Sequence, residues 1–307
     1  MTGTYPLRVH FAVFLTLAAL AFTGCGSSDS NEPAPERFDA ERAFSDLEAQ
    51  VGIGPRPSGS PQNRELVRFL ADRLEEAGAE GVVVQRPYAN VVATIPGAEE
   101  GTVVVGAHHD TKDIPGFVGA NDGASGVAVV LELARVLAVE APLDGPSVSI
   151  ALFDAEEARG DRPFEEDGTR GSQQYVAYAE EGDQGSPSLE EMTAMILFDL
   201  VGDCDLAIPR EASSDEGLYD RFADAAREVN GSDSEAPFEG VTDAIGDDHV
   251  PFLEAGVPAL DIIDFTFGGE TTPGPYWHTT EDTLDKVCPS SLGAVGRAAL
   301  VAIPEIR

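Results

Sequence analysis

The stretch TVVVGAHHDTKDIPGFVGANDGASGVAVVLELARVLA, residues 102–138, joins an apolar run, a polar loop and a second apolar segment. The first seven residues are rich in valine, and this composition predicts a buried strand. The loop holds two adjacent histidines, three aspartates and many glycines. Residues 123–138 predict a helix. Charged side chains directly after a buried strand indicate a binding site, because ligands bind beyond the carboxyl ends of strands in α/β sheets.

From about residue 38 onward, strand-like and helix-like patterns alternate along the chain. The strand patterns cover residues 82–85, 90–96, 102–108, 147–154, 192–202 and 257–263. The helix patterns cover residues 60–78, 123–138, 171–181, 218–229, 249–256 and 289–303. This alternation predicts an α/β fold with a largely parallel central sheet. The sequence shows no internal repeat and no clear linker after residue 40, so we expect one domain.

The composition is strongly acidic. Aspartate and glutamate total 55 residues against 19 lysines and arginines, which gives a formal net charge of -36. Such a surface repels nucleic acid and anionic lipid, so the composition argues against both as partners. Two explanations of the acidity stay open. One is solubility through self-repulsion, and the other is adaptation to high salt, where screening relieves that repulsion.

The N-terminal segment has the order of a targeting sequence. Arg8 precedes the apolar run FAVFLTLAALAF, residues 11–22, which is too short to span a bilayer comfortably. The following FTGC ends at Cys25 and resembles a bacterial lipoprotein signal, with cleavage before Cys25 and a lipid attached to it. A plain secretory signal with an incidental Cys25 is the alternative.

These features predict three regions: a lipoprotein signal peptide at residues 1–24, a flexible tether at 25–37 and a folded domain at 38–307. The tether is expected from its polar, Ser- and Pro-containing composition. The expected location is the cell envelope, facing the periplasm or exterior, with the lipid at Cys25 as the only membrane contact. An oxidising exterior would permit Cys204 and Cys288 to pair, but their spacing does not show that they are close.

Acidic or histidine side chains stand at four points where apolar or aromatic runs end. They are His108, His109 and Asp110; Asp154, Glu156 and Glu157; Asp199; and His278. Each one by itself is more commonly a solvated or hydrogen-bonded side chain. Together they favour a metal site, because such ends meet at one edge of an α/β sheet. Imidazoles and carboxylates that converge there suit a borderline cation such as Zn²⁺.

The neighbouring acids suggest how such a site would work. Asp110 comes two residues after His108, where its carboxylate can accept the second ring N–H of a ligating histidine and orient the ring. Of the adjacent Glu156 and Glu157, one can coordinate the metal while the other stays free as a general base. The residues alone do not decide which glutamate has which role.

Nucleophilic and nucleotide-binding alternatives have weaker support. Ser125 and Ser172 both lack the G-x-S-x-G frame of a nucleophile elbow. The glycine-rich GANDGASG, residues 119–126, contains neither Gly-Lys-Ser/Thr nor G-x-G-x-x-G. Neither class of site is therefore indicated.

Six motifs occur in the order of one known family: GAHHDT, GANDGASG, FDAEE, ILFDLVG, GDDHVPFLEAGVPA and YWHTTEDTLDKV. Over roughly residues 50–303 the chain resembles the zinc-dependent metallopeptidases of family twenty-eight. That family includes bacterial secreted aminopeptidases and animal-type glutaminyl cyclases. The resemblance implies a three-layer α/β/α sandwich around a mixed, mainly parallel sheet, a catalytic role for residues 38–307, and one or two Zn²⁺ ions.

The resemblance also implies a metal ligand set. Asp122 would be shared by two metals, Glu157 and His278 would complete one zinc site, and His108 and Asp199 would complete the other.

Further roles follow from the same resemblance. Glu156 would be the general base and Asp110 would orient a ligand, while His109 stays unassigned. Asp248 matches a position near the catalytic carboxylates of the cyclases. Trp277 is either a substrate wall or a packing residue beneath the loop that carries the last histidine, and the sequence leaves both open.

The family carries out two reactions on peptide N-termini. Its aminopeptidases use two metals and water to remove the first residue. Its cyclases use one zinc and no attacking water to form N-terminal pyroglutamate, yet keep the residues of the second site. Residues 247–253, residues 200–202 and Trp277 point to cyclases, whereas residues 158–170 lack the tryptophan that cyclases carry there. We favour an aminopeptidase acting on peptides, with a glutaminyl cyclase as the alternative and an inactive metal-binding protein as the least favoured.

Overall fold

Six strands form one mixed sheet in the computed structural model, which describes residues 1–3, 34–230 and 238–307. The strands are β1 (Glu80–Val84), β2 (Val91–Ile95), β3 (Thr102–His108), β4 (Ser147–Phe153), β5 (Met192–Asp199) and β6 (Ala259–Ile263). Their order across the sheet is β1-β2-β4-β3-β5-β6. β2 pairs antiparallel with β1 and β4, while β4, β3, β5 and β6 run parallel. The mixed, mainly parallel sheet is thereby confirmed.

The described residues contain eight α-helices. They are α1 (Ala40–Ile53), α2 (Pro61–Ala77), α3 (Ser125–Glu140), α4 (Phe164–Asp167), α5 (Arg170–Glu181), α6 (Glu216–Asn230), α7 (Val250–Glu254) and α8 (Pro289–Ala302). Six of these agree with the sequence patterns, and α1 and α4 do not appear among them. Helix α1 lacks a clear apolar stripe because its buried positions include Asp46 and Gln50 beside Ala43 and Leu47.

The two faces of the sheet are covered by different helices. Val103, Val105 and Ala107 of β3 belong to a large apolar cluster with residues of α1, α2, α3, α6 and α8. Val104, which points the other way, belongs to a smaller cluster with residues of α5 and α7. Every residue of β3 is buried, as expected for a strand covered on both faces. The structure therefore has the three-layer α/β/α arrangement expected from the sequence.

The parallel strands end at one edge of the sheet, where the candidate residues lie. His108 is the last residue of β3 and Asp199 the last of β5, and Asp154 follows β4 directly. The sequence pattern extended the fifth strand to residue 202, but β5 ends at Asp199. The next residue, Leu200, has a φ of 50°, a left-handed conformation that does not continue a strand.

A disulfide joins Cys204 and Cys288, which answers the question that their spacing left open. The bond connects the loop after β5 to the residue that precedes α8. Close by, the Cys288 N–H donates to the Gly202 carbonyl at 2.9 Å. The loop after β5 is thus joined to the start of α8 by a disulfide between side chains and by a hydrogen bond between backbones.

The chain divides into two units, Met1–Asn31 and Glu32–Arg307, and all the helices and strands named above belong to the second. The signal-peptide residues after position 3, Cys25 and the tether up to residue 33 lie outside the described residues. The last four tether residues, Ala34–Arg37, form a 3-10 helix, and Arg37 pairs with Glu140. Among the described residues, no helix combines the length and apolarity that a membrane crossing requires.

Candidate metal centre and active site

Two groups of three potential metal ligands lie side by side at the carboxyl edge of the sheet. One consists of His108, Asp122 and Asp199, and the other of Asp122, Glu157 and His278. Within each group the ligand atoms lie within 4.8 Å of one another. All five side chains are buried except His278, which is partly exposed. The structure therefore brings together the five residues that the resemblance selected, in the same two sets.

Asp122 faces a different histidine with each carboxylate oxygen. Its Oδ1 lies 3.2 Å from His108 Nε2, and its Oδ2 lies 3.5 Å from His278 Nε2. His108 Nε2 is also 3.2 Å from Asp199 Oδ1, and His278 Nε2 is 3.0 Å from Glu157 Oε1. This geometry is that of a carboxylate shared between two cation sites.

The loop can hold Asp122 here because a glycine follows it. Gly123 has a φ of 89°, and a Cβ on it would lie 2.6 Å from the Asp110 carbonyl oxygen and 3.2 Å from His108 Cε1. A larger residue would therefore clash with the end of β3 and adopt a conformation that side chains disfavour. Helix α3 begins two residues further on, at Ser125.

The donor set fits a divalent metal. Asp122 Oδ2 and Glu157 Oε2 are buried carboxylate oxygens without a hydrogen-bond partner, although the Lys112 ammonium lies 3.3 Å from Glu157 Oε2. Burial lowers the pKa of His108, but the negative charge of Asp199 and hydrogen bonds that neighbouring carboxylates accept from the ring outweigh it, so that this pKa lies well above its usual value. A buried site this anionic favours a cation, and His, Asp and Glu are the ligands that Zn²⁺ takes when it keeps an open position.

Asp110 lies beside His108 and also contacts the segment that carries the two glutamates. Its Oδ1 is 3.8 Å from His108 Nδ1, beyond hydrogen-bond length, and accepts the Glu156 backbone N–H at 3.1 Å. One carboxylate thus adjoins a ligand histidine and the base candidate.

Glu156 and Glu157 differ in their surroundings. Glu157 belongs to a metal group, and Lys112 Nζ lies 3.3 Å from its Oε2. Glu156 lines the same cavity but belongs to neither group. Burial raises the pKa of Glu156 well above its usual value; the His108 charge opposes this rise, and the negative charge of Glu157 adds to it. A buried carboxyl with a raised pKa beside a metal group is suited to proton transfer.

Trp277 both contacts His278 and lines the cavity. Its ring stacks on His278, with centroids 3.7 Å apart and an interplanar angle of 17°. It also lines the cavity. His278 itself has a φ of 53°, an uncommon left-handed conformation for a residue other than glycine. Trp277 therefore packs against a metal-ligand candidate and contributes to the wall of the cavity.

The two adjacent aspartates of GDDHVPFL have different surroundings. Asp248 is buried and accepts the Ser172 hydroxyl at 2.5 Å, whereas Asp247 lines the cavity. Burial raises the pKa of Asp247 well above its usual value, and the negative charge of Asp199 adds to this. The sequence indicated Asp248 as a site residue and did not indicate Asp247 or Lys112. Two identical neighbours give no signal as to which one faces the cavity.

The cavity above the metal groups has a volume of about 330 Å³. Its walls combine apolar side chains with the acidic floor, and the apolar ones are Phe164, Ile245, Ile263, Phe265 and Trp277. His109 is buried elsewhere, with its Nε2 3.2 Å from the Ala89 carbonyl, and it joins neither metal group. The cavity therefore combines apolar walls with the candidate metal ligands and Glu156, as small-molecule sites commonly do.

The model of peptidase family M28 matches residues 90–303. A glutaminyl-peptide cyclotransferase of Drosophila melanogaster is 30% identical over 222 residues, which cover 65% of this chain and 60% of the fly protein. The solved structure of an Acidobacteriales bacterium glutaminyl cyclase is 32% identical with a TM-score of 0.77, and the match covers 91% of this chain and 97% of that one.

A further solved structure, of a leucine aminopeptidase precursor from Bacteroides thetaiotaomicron, is 25% identical with a TM-score of 0.72. The match covers 88% of this chain and 98% of that one. Solved structures of a cyclase and of a peptidase therefore both share this fold. The chain belongs to peptidase family M28.

Proposed function

We propose that the protein is a zinc-dependent exopeptidase that removes N-terminal residues from peptides. The observation that supports it most is the pair of complete ligand groups that share Asp122 beside the free Glu156. Asp122, Glu157 and His278 would hold one zinc, and His108, Asp122 and Asp199 would hold the second. Bound zinc would lower the pKa of water and polarise the scissile carbonyl.

The residues around the metal groups have distinct tasks in this reaction. Glu156 would take a proton from the attacking water and pass it to the leaving amine, since it is buried and uncommitted to a metal group. Trp277 and the other apolar walls would enclose the side chain of the first residue and exclude bulk water. Asp110 would fix the position of Glu156 through the Glu156 backbone N–H.

Cyclisation of N-terminal glutamine is the second candidate. It is favoured by the two cyclase relatives, which are 30% and 32% identical, and by Asp247. That carboxyl lines the cavity and belongs to neither metal group. Burial raises its pKa, and the negative charge of Asp199 raises it further. In this reaction the substrate amine attacks its own side-chain amide carbon and ammonia leaves. Glu156 would carry the amine proton to the departing –NH2 group, which leaves as ammonia, and only one of the two ligand groups would need zinc.

We further propose that the enzyme acts outside the cytoplasm, anchored by a lipid at Cys25. The N-terminal pattern FTGC supports this location, and the Cys204–Cys288 disulfide is suited to an oxidising compartment. Peptides would then be the substrates, with the lipid as the membrane contact. Mass spectrometry of protein purified from a membrane fraction tests the anchor, because lipidated Cys25 would form the N-terminus; an unmodified N-terminus elsewhere would contradict it.

Two assays on the zinc-loaded protein distinguish the reactions. One measures the release of free amino acids from peptides with unblocked N-termini, and the other measures ammonia release from peptides that begin with glutamine. Residue release with two zincs per chain is expected for the exopeptidase. Ammonia release without cleavage, with one zinc per chain, would identify the cyclase and overturn the first proposal.

A further inference from the structure

The backbone at Asp122 is held by a second carboxylate, Asp282. The Asn121 N–H donates to Asp282 Oδ1 at 2.7 Å, and the Asp122 N–H donates to Asp282 Oδ2 at 3.0 Å. Asp282 is fully buried and comes four residues after His278. Its side chain therefore connects the segment that carries one candidate ligand to the segment that carries the shared one.

Arg56 holds the other end of the same loop. Its Nη1 donates to the Val118 carbonyl at 2.5 Å and its Nη2 donates to the Gly119 carbonyl at 2.9 Å. The guanidinium is fully buried, and the carboxylates that act on its charge are Asp282, Asp122 and Asp110. A buried arginine is costly unless carboxylates and acceptors surround it. Here both acceptors are carbonyls of the loop that carries Asp122.

Residues 118–122 are thus held by four hydrogen bonds. Two carbonyls of this segment accept from Arg56, and two of its N–H groups donate to Asp282. The loop turns tightly between them, since Gly119 has a φ of 52° and a Cβ on it would lie 2.3 Å from the Asp122 carbonyl oxygen. Neither Arg56 nor Asp282 belongs to a metal group or lines the cavity. Their contacts act on the position of Asp122 through its backbone.

We propose that Arg56 and Asp282 are positioning residues that hold Asp122 where one carboxylate can serve two cation sites. Without them the loop could still form, but the two carboxylate oxygens of Asp122 would no longer be fixed toward His108 and His278. This inference rests on the proposed metal centre. It implies that Arg56 and Asp282 contribute to zinc affinity although neither belongs to a metal group or lines the cavity.

Asp282→Asn provides the main test, with Asp264→Asn as its matched control. Asp264 is also fully buried and also accepts two backbone N–H groups, but these come from Ala207 and Thr266, which belong to neither metal group. Zinc affinity is measured by competition with a chromophoric chelator. We expect Asp282→Asn to bind zinc about 10- to 100-fold more weakly than the wild type and Asp264→Asn to bind as the wild type does.

A purely structural role for Asp282 would lower the unfolding temperature of the zinc-free protein in both variants alike and leave both zinc affinities unchanged. Folded Asp282→Asn with wild-type zinc affinity would therefore overturn the inference. If the wild type itself binds no zinc, the proposed function fails instead, so the two failures are distinguishable.

Arg56→Lys keeps the test decisive if Asp282→Asn does not fold. Lysine retains the positive charge, but its single ammonium cannot reproduce the fork that reaches both carbonyls. Arg37→Lys is the control, because Arg37 is also buried but pairs with Glu140, away from the metal groups. We expect weaker zinc binding for Arg56→Lys alone; equal zinc affinity in the two variants would contradict the proposal.

Discussion

Glu156 and Glu157 are neighbours in the chain but have different positions in the site. Glu157 Oε1 lies 3.0 Å from His278 Nε2, within a group of three potential metal ligands. Glu156 lines the same cavity and belongs to neither group. The backbone N–H of Glu156 is held by Asp110, which fixes the segment at the point where the two side chains diverge.

Replacement of Glu156 by glutamine should separate catalysis from metal binding. Removal of a general base lowers kcat by about 10²- to 10⁴-fold, while the zinc content should stay at the wild-type level because no ligand is changed. Steady-state kinetics and elemental analysis of the same preparation measure both. Wild-type kcat in Glu156→Gln would exclude the role assigned to this residue.

Replacement of His278 by alanine should abolish activity and weaken zinc binding. His278 contributes its Nε2 to the group with Asp122 and Glu157, and its removal leaves the two carboxylates without their imidazole partner. His109→Gln is the matched control, since His109 is buried and contacts the Ala89 carbonyl instead of a metal group. Activity that survives His278→Ala, or equal zinc loss in both variants, would show that the ligand assignment is wrong.

Asp264 should make the protein less stable as the pH rises. Burial raises its pKa to about 6 from an ordinary value of 3.8, against the opposing hydrogen bonds of Thr266 and Ala207. The folded state thus binds this proton more tightly than the unfolded chain does. The stability linked to Asp264 is fully present below its unfolded pKa and is lost as the pH rises through its folded pKa.

Urea unfolding of the wild type and Asp264→Asn at pH 4, 5, 6 and 7 measures this effect. The free energy of unfolding of the wild type, relative to that of the variant, should increase as the pH is lowered from 7 to 4. A difference that stays constant with pH would mean that Asp264 titrates alike in both states.

Salt should stabilise the protein if the net charge of -36 reflects adaptation to high salt. The Debye length falls from about 10 Å at 0.1 M to about 3 Å at 1 M, so added salt screens the repulsion among surface carboxylates. The unfolding temperature should rise steeply with sodium chloride concentration. A flat dependence would leave solubility as the explanation of the acidity.

The sequence indicated most of the fold and most of the site for the same reason. His108, Asp199 and the acids after β4 stand directly at strand ends, so locating the strands also located the ligands. Helix α1 was missed because its buried positions are half polar.

Other features depend on which way a side chain turns, or on contacts between distant segments. Asp247 and Asp248 are identical neighbours, and only the local backbone decides that Asp247 faces the cavity. Arg56 and Asp282 meet the same loop from positions 226 residues apart, as the difference of their numbers shows (282 − 56). No local pattern in a single sequence reports such a contact.

Zinc content per chain, in the wild type and in Asp122→Ala, tests the central claim most directly. If Asp122 is the carboxylate shared by both groups, its loss should remove all bound zinc, whether the wild type holds one ion or two. Elemental analysis after dialysis against trace zinc gives the number. Zinc near zero in Asp122→Ala is the result expected, and a content equal to that of the wild type would contradict the account.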